Sequence, residues 1–225
     1  SIDKKMIIVA IDEIDLKKAL EILNNLDSQK CMVKIGSVAF NSIGHDLIFE
    51  AAKKDFGVFL DLKLHDIPNT VKKSIQSLCS LPIQMLTIHT SGGKDMMIAA
   101  MQAVSGSDIK VFGVTALTSL SNEDTHCIYQ RTCAEQVNAM LDLAESSNID
   151  GVVCSPHELE IVNKRKSLMS ITPGIRMKYS NDDQKRTMTP KEAINLGADY
   201  LVIGRPITKS KNIKESLNNI YESIQ

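Results

Sequence analysis

Eight short apolar runs rich in β-branched residues recur along the chain, and helical patterns separate them. The runs are Met6–Ile11, Met32–Ile35, Val58–Leu62, Met85–His89, Val111–Ala116, Gly151–Cys154, Ser170–Thr172 and Tyr200–Ile203. Between them lie the amphipathic stretches Leu16–Leu26, Val71–Cys79, Lys94–Val104, Ala134–Ser146 and Glu192–Leu196. Strands alternating with helices, with no Pro-, Gly- or Ser-rich linker, predict one parallel α/β domain over residues 1–225. An open doubly wound sheet is the rival architecture. Eight regular βα units in 225 residues fit a single (β/α)8 TIM barrel better. Two helix entries are marked: Ser155-Pro156 with Glu158 reads as a capped start, and Thr189-Pro190 as another, with Gly197 as its stop.

Composition narrows the function classes. Hydrophobic residues are 43%, enough for a full core, so intrinsic disorder and a disulfide miniprotein are excluded. Twenty-six Lys and Arg against 27 Asp and Glu leave a net charge of −1, with no global pull toward nucleic acid or an anionic membrane. Aromatics at 4%, with no Trp, weaken stacking-based nucleic-acid binding further. The run Met6–Ile11 is too short for a signal-peptide core or a membrane span. Cys31, Cys79, Cys127, Cys133 and Cys154 are scattered and form no C-x-x-C pair, so a reducing cytoplasm is expected and a zinc site is not.

The charges are organised relative to the strands. Side chains alternate faces, so Leu60, Leu62 and Leu64 share one face of the third strand and Phe59, Asp61 and Lys63 the other. The same reading turns Ile8, Ala10 and Asp12 inward on the first strand, and Met32, Lys34 and Gly36 on the second. Asp12, Lys34, Asp61 and Lys63 thus gather at strand C-terminal ends, where a barrel builds its active site. A purely structural ion-pair network is the bland alternative. Burying such charges costs several kcal/mol per ion, and apolar packing stabilises as well or better. Four charges of alternating sign at equivalent ends therefore point to a site. Asp66 completes D-x-K-x-x-D and could also cap the next helix.

At the other end, the seventh and eighth strands lead into Pro173-Gly174-Ile175-Arg176 and Gly204-Arg205-Pro206. Barrels often bind phosphate between those two loops, where Gly204 admits close backbone approach and Arg205 a bidentate contact. A phosphorylated small molecule is the expected ligand. The polar stretch from Ile175 to Thr189 is long enough to read as a lid. His89 reads as a loop or core histidine rather than an acid or base, and no base is placed to activate Cys154.

The decapeptide Asp61-Leu-Lys-Leu-His-Asp-Ile-Pro-Asn-Thr70 resembles the signature of the orotidine 5′-monophosphate decarboxylase family. The resemblance extends through V-A-I-D at 9–12, V-K-I-G at 33–36, T-I-H-T-S-G-G at 87–93 and V-T-A-L-T-S at 114–119. It continues through G-V-V-C-S at 151–155, T-P-G-I-R at 172–176, D-Q at 183–184 and V-I-G-R-P-I-T at 202–208. It implies decarboxylation of orotidine 5′-monophosphate (OMP) to uridine 5′-monophosphate (UMP), the last step of de novo UMP synthesis, without metal or cofactor. Lys63 is then the proton donor, with Asp61, Asp66 and Lys34 as its charged neighbours. Substrate binding falls to Asp12, Lys34, Asp61, Ile67, Thr70, Thr118, Pro173, Arg176, Gln184, Gly204 and Arg205. Asp66, Ile67 and Thr70 are expected to enter the neighbouring subunit's site, which implies a homodimer with shared sites.

One departure stands out. Family members often carry Pro directly after the Arg of T-P-G-I-R and Gly soon after; here Met177 and Tyr179 occupy those places. Two other functions remain to be weighed: a Mg2+-dependent sugar-phosphate decarboxylase or aldolase on the same barrel, and a non-catalytic phosphate-ligand binding protein. The former usually carries an acidic metal ligand where Lys34 stands.

Overall fold

The computed structural model describes residues 5–177 and 188–225. Its eight strands are all parallel and close in chain order: β1 (Ile7–Ala10), β2 (Cys31–Gly36), β3 (Val58–Leu64), β4 (Met85–His89), β5 (Lys110–Val114), β6 (Gly151–Val153), β7 (Met169–Thr172) and β8 (Tyr200–Ile203). Closure is made by β1 lying beside β8, with Ile8 opposite Val202. This is the (β/α)8 TIM barrel, and an open doubly wound sheet is ruled out.

Helices cover the outside. In chain order they are α1 (Leu16–Asn25), α2 (Ser37–Ile43), α3 (His45–Lys53), α4 (Pro68–Leu78), α5 (Lys94–Val104) and α6 (Asn122–Tyr129). They continue as α7 (Cys133–Ser146), α8 (Leu159–Asn163), α9 (Pro190–Asn195), α10 (Arg205–Thr208) and α11 (Ile213–Ser223). No described helix is long and apolar enough to cross a membrane. The two marked entries are present: Ser155 and Glu158 form a capping box around the turn at Pro156, and the Thr189 side chain accepts from Glu192 N–H. Gly197, at φ +96°, follows α9 in a conformation that a residue with a Cβ rarely adopts.

Strand alternation sorts the core into two shells. Ile8, Ala10, Met32, Phe59, Met85, Phe112, Ile171, Tyr200 and Val202 fill the barrel interior. Their neighbours Ile7, Val9, Val33, Ile35, Leu60 and Ile88 face the helices instead. Inside, the Phe112 and Tyr200 rings meet edge to face, 6.2 Å between centroids. A Cβ on Gly151 would collide with the Met169 carbonyl and stand 2.7 Å from the Phe112 ring, so glycine is what lets β6 approach that interior layer. Apolar side chains fill the barrel interior, so the ionic groups of the strand C-terminal ends gather at its mouth.

Candidate active site

The mouth is organised by one carboxylate. Asp61 on β3 is only 7% exposed, and its Oδ2 receives two ammonium groups: Lys63 Nζ at 2.9 Å and Lys34 Nζ at 3.2 Å. Its other oxygen, Oδ1, accepts from the Thr87 hydroxyl on β4 at 2.7 Å. Burial alone would raise the Asp61 pKa. The Lys34 and Lys63 charges, with hydrogen bonds from Lys63 and Thr87, outweigh it and hold the carboxyl below its ordinary range. The cluster therefore carries two cations around one anion, a local positive excess ready for a negative ligand.

Lys63 reaches this position by an irregular route. Simple alternation puts Asp61 and Lys63 on one face, and their side chains do meet. The β3–β4 ladder, however, slips: Leu60 lies opposite Leu86 but Leu64 opposite Ile88, so four residues of β3 span what two span on β4. Within the slip Lys63 has φ +50°, a left-handed conformation costing a non-glycine residue about 1–3 kcal/mol. Its N–H donates to Thr87 Oγ1 at 3.0 Å in place of a ladder carbonyl.

A cavity of about 190 Å³ opens over the cluster, lined by Lys34, Phe59, Asp61, Lys63, Thr118 and Pro173 among others. It adjoins a second of about 470 Å³ and shares Ala116, Leu117, Thr118 and Pro173 with it. Thr118 and Pro173 thus stand where the two meet. A larger hollow of about 560 Å³ between α5 and α7 is lined by Ile98, Met101, Gln102, Ser105, Ser146, Ser147 and Asn148. It holds no titratable side chain and offers no comparable chemistry.

The remaining expected site residues fall into two groups around the mouth. Asp12 is exposed just beyond the end of β1. Asp66, Ile67 and Thr70 are exposed at the entry to α4, and Ile67 is 65% exposed despite being apolar. Asp66 is not the cap of α4: Ile67 occupies that position ahead of Pro68, and Asp66 Oδ1 accepts from Ile67 N–H at 2.7 Å. Arg176 and Arg205 are exposed, beyond β7 and at the start of α10, while Gly204 is half-buried at the end of β8. Ile175 pairs with Met188, and Arg176 N–H donates to Met188 O at 3.0 Å, so the two described ends of the loop after β7 lie side by side. Gln184 and Tyr179 lie outside the described residues.

Thr87 belongs with these groups although no motif spacing singles it out. Extending the alternation one strand further, through Met85, Thr87 and His89 on β4, finds it. His89 itself stacks on His65, 5.2 Å between ring centroids. Burial, then the nearby positive charges of His65 and Lys63, push its pKa below 6.5 against an opposing pull from Asp61. Cys154 is buried beside Thr172, and burial raises its thiol to about 12, which leaves it un-ionised and a poor nucleophile. Among the described residues no group of three or more His, Cys, Asp or Glu side chains is arranged to hold a metal ion.

Comparison with known proteins agrees with this geometry. Orotidine 5'-phosphate decarboxylase of Wolbachia pipientis subsp. Culex pipiens is 46% identical over 97% of this chain and 98% of its own length. The enzyme of the same name from Saccharophagus degradans is 41% identical over 98% of this chain and 95% of its length. The crystal structure of orotidine 5'-phosphate decarboxylase from Lactobacillus acidophilus superposes with a TM-score of 0.85, at 32% identity, covering 98% of this chain and 99% of that one. Residues 5–220 match the family model described as "Orotidine 5'-phosphate decarboxylase / HUMPS family", and the chain belongs to that family.

Proposed function

We propose that the protein decarboxylates orotidine 5′-monophosphate to uridine 5′-monophosphate and CO2. The observation that carries this reading is the Asp61 carboxylate with its two lysines, set in a cavity at the barrel mouth. Loss of CO2 from C6 of the pyrimidine leaves an electron pair in the ring plane, with no adjacent group to delocalise it. Catalysis then depends on charge already in place where the anion develops. Lys63 is the group for that task. Its ammonium stabilises the carbanion and transfers a proton to C6, leaving a neutral amine that regains its proton from solvent. Asp61 keeps Lys63 charged and stands near the departing carboxylate; Lys34 holds Asp61 and reaches toward the ribose. Asp12 is assigned to a ribose hydroxyl and Thr118 to the amide edge of the pyrimidine, with Pro173 beside it.

The phosphate is assigned to Arg205 and the Gly204 backbone, with Gln184 and Arg176 nearby. A Cβ on Gly204 would meet only Ala10 Cβ, at an ordinary 3.6 Å. There is room for a Cβ at Gly204, and its absence leaves the backbone open to close approach by a ligand. Binding energy gained at the phosphate, remote from C6, is available to stabilise the transition state.

The site is read as shared within a homodimer, with Asp66, Ile67 and Thr70 acting in the partner's site. Six consecutive residues, His65–Thr70, are exposed in the single chain, including the apolar Ile67, which fits a segment covered by a second subunit. Five free cysteines fit a reducing, cytoplasmic setting.

The Mg2+-dependent sugar-phosphate alternative is disfavoured by Lys34. An ammonium 3.2 Å from the one buried carboxylate of the cluster repels a divalent cation at that position. A silent binding protein is disfavoured because Lys34, Asp61, Lys63 and Asp66 are all retained. The test follows the ultraviolet absorbance of orotidine 5′-monophosphate with purified protein and excess chelator. Conversion is expected; no conversion, with metal-dependent turnover of a sugar phosphate, would select the alternative.

A further inference from the structure

We infer that Thr87 is a positioning residue of this site: its hydroxyl ties the backbone of Lys63 to the carboxylate of Asp61 and so fixes the direction in which the Lys63 ammonium points. The inference rests on the function proposed above.

A hydroxyl has one proton to give, and the geometry leaves one way to use it. Asp61 Oδ1 lies 2.7 Å from Thr87 Oγ1, and an ionised carboxylate only accepts, so the proton goes to Asp61. The Lys63 N–H, 3.0 Å away on its other side, then fills a lone pair of the same oxygen. Thr87 is fully buried, so water does not substitute for either bond. It also sits where it is needed, at the slip between β3 and β4 that deprives the Lys63 N–H of a ladder carbonyl. Both the left-handed turn at Lys63 and the orientation of the Asp61 carboxylate are thereby held by one atom.

Removing that oxygen has two consequences of one kind. The Lys63 N–H loses its partner within the strained turn, and Asp61 Oδ1 loses the bond that opposes rotation of the carboxylate. The carboxylate is then held through Oδ2 alone, by Lys34 and Lys63, and can turn about that contact. Gly204 and Arg205, the described residues to which the phosphate is chiefly assigned, follow β8 on the far side of the barrel closure and are untouched. Turnover should suffer and substrate capture should not.

The experiment compares Thr87→Val, which keeps shape without the hydroxyl, with Thr87→Ser, which keeps the hydroxyl. For orotidine 5′-monophosphate, the valine variant should lose about tenfold to hundredfold in kcat with KM within about threefold of wild type. The serine variant should stay within about threefold in both. An unchanged kcat for Thr87→Val, or an equal loss in Thr87→Ser, overturns the proposal, the latter by assigning the effect to methyl packing. Thr87→Ala replaces the valine variant if that one does not fold. A second readout needs no turnover: carbon-13 NMR titration of the Asp61 carboxyl in the free enzyme. Its midpoint should rise in Thr87→Val and not in Thr87→Ser, and an unmoved midpoint overturns the coupling. If wild type converts no orotidine 5′-monophosphate, the proposed function fails, and the titration still decides whether Thr87 governs Asp61.

Discussion

Lys63 approaches Asp61 from a left-handed backbone, at φ +50°, and still brings its Nζ to 2.9 Å from Asp61 Oδ2. An ordinary strand residue would not need that conformation, and a lysine gains nothing from it in stability. The strain is matched to placing the Lys63 side chain in the cavity beside Asp61. Lys63→Ala keeps a Cβ, and hence the backbone restriction, but removes the charge and the transferable proton. Its turnover of orotidine 5′-monophosphate is expected to fall by at least about a hundred- to thousandfold. Near-wild-type kcat by the absorbance assay would remove Lys63 from the role of proton donor.

Asp61 makes the cluster's stability depend on pH. Its folded pKa lies below the ordinary 3.8, because the two lysine charges and the hydrogen bonds from Lys63 and Thr87 outweigh the opposing effect of burial. A depressed carboxylate contributes stability that is complete above its unfolded pKa and is lost as pH falls through the folded value. Asp61→Asn leaves Lys34 and Lys63 facing each other without the anion. Fully buried pairs broken this way lose about 3–5 kcal/mol; with Lys63 35% exposed, about 2 kcal/mol at pH 7 is expected. Urea unfolding of both proteins should show that gap at pH 7 and a shrinking gap as pH drops below 3.8. A gap independent of pH would mean that Asp61 acts through packing rather than charge.

Much of this arrangement was legible in the residue pattern, for identifiable reasons. The eight apolar runs predict the strands because a parallel barrel buries both faces, and Met85–His89 and Tyr200–Ile203 match end to end. The run Val111–Ala116 overshoots, since the ladder ends at Val114. The helix expected from Val71 begins at Pro68: apolar periodicity starts only at the first buried residue, while proline opens the first turn. Helix α6 escapes the periodicity because it buries only Thr125; its signal is the Ser121–Asp124 capping box. The Lys34–Asp61–Lys63 cluster was readable from strand ends. Its irregular core was not, because the left-handed turn falls on Lys63 rather than on a glycine or asparagine. Thr87 looks like any β-branched strand residue until the slip places it beside Lys63 N–H.

His89 predicts a second pH dependence, in a different range. Burial, then the charges of His65 and Lys63, depress its pKa below 6.5, with Asp61 partly opposing. The neutral ring is therefore the folded form, and stability is full above 6.5 and declines as pH falls toward the depressed folded value. Protonation would add a cation beside His65 and Lys63. His89→Asn should flatten the decline in thermal midpoint just below pH 6.5, while leaving the midpoint at pH 8 little changed relative to pH 7. An identical slope in both proteins would place the acid sensitivity elsewhere.

The proposed sharing of the site between subunits has a consequence that single variants do not reveal. Asp66 Oδ1 is engaged with Ile67 N–H within its own chain, whereas Lys63 turns inward to Asp61. If Asp66 serves the partner's site, a Lys63→Ala chain and an Asp66→Ala chain complement each other. In their heterodimer one site carries both substitutions and the other carries neither. Equal mixing with free subunit exchange makes half of the dimers mixed, each with one intact site of two. Activity should then rise from near zero to about a quarter of wild type, in step with heterodimer formation followed by differently tagged chains. Verified heterodimers without recovered activity would mean that each chain completes its own site.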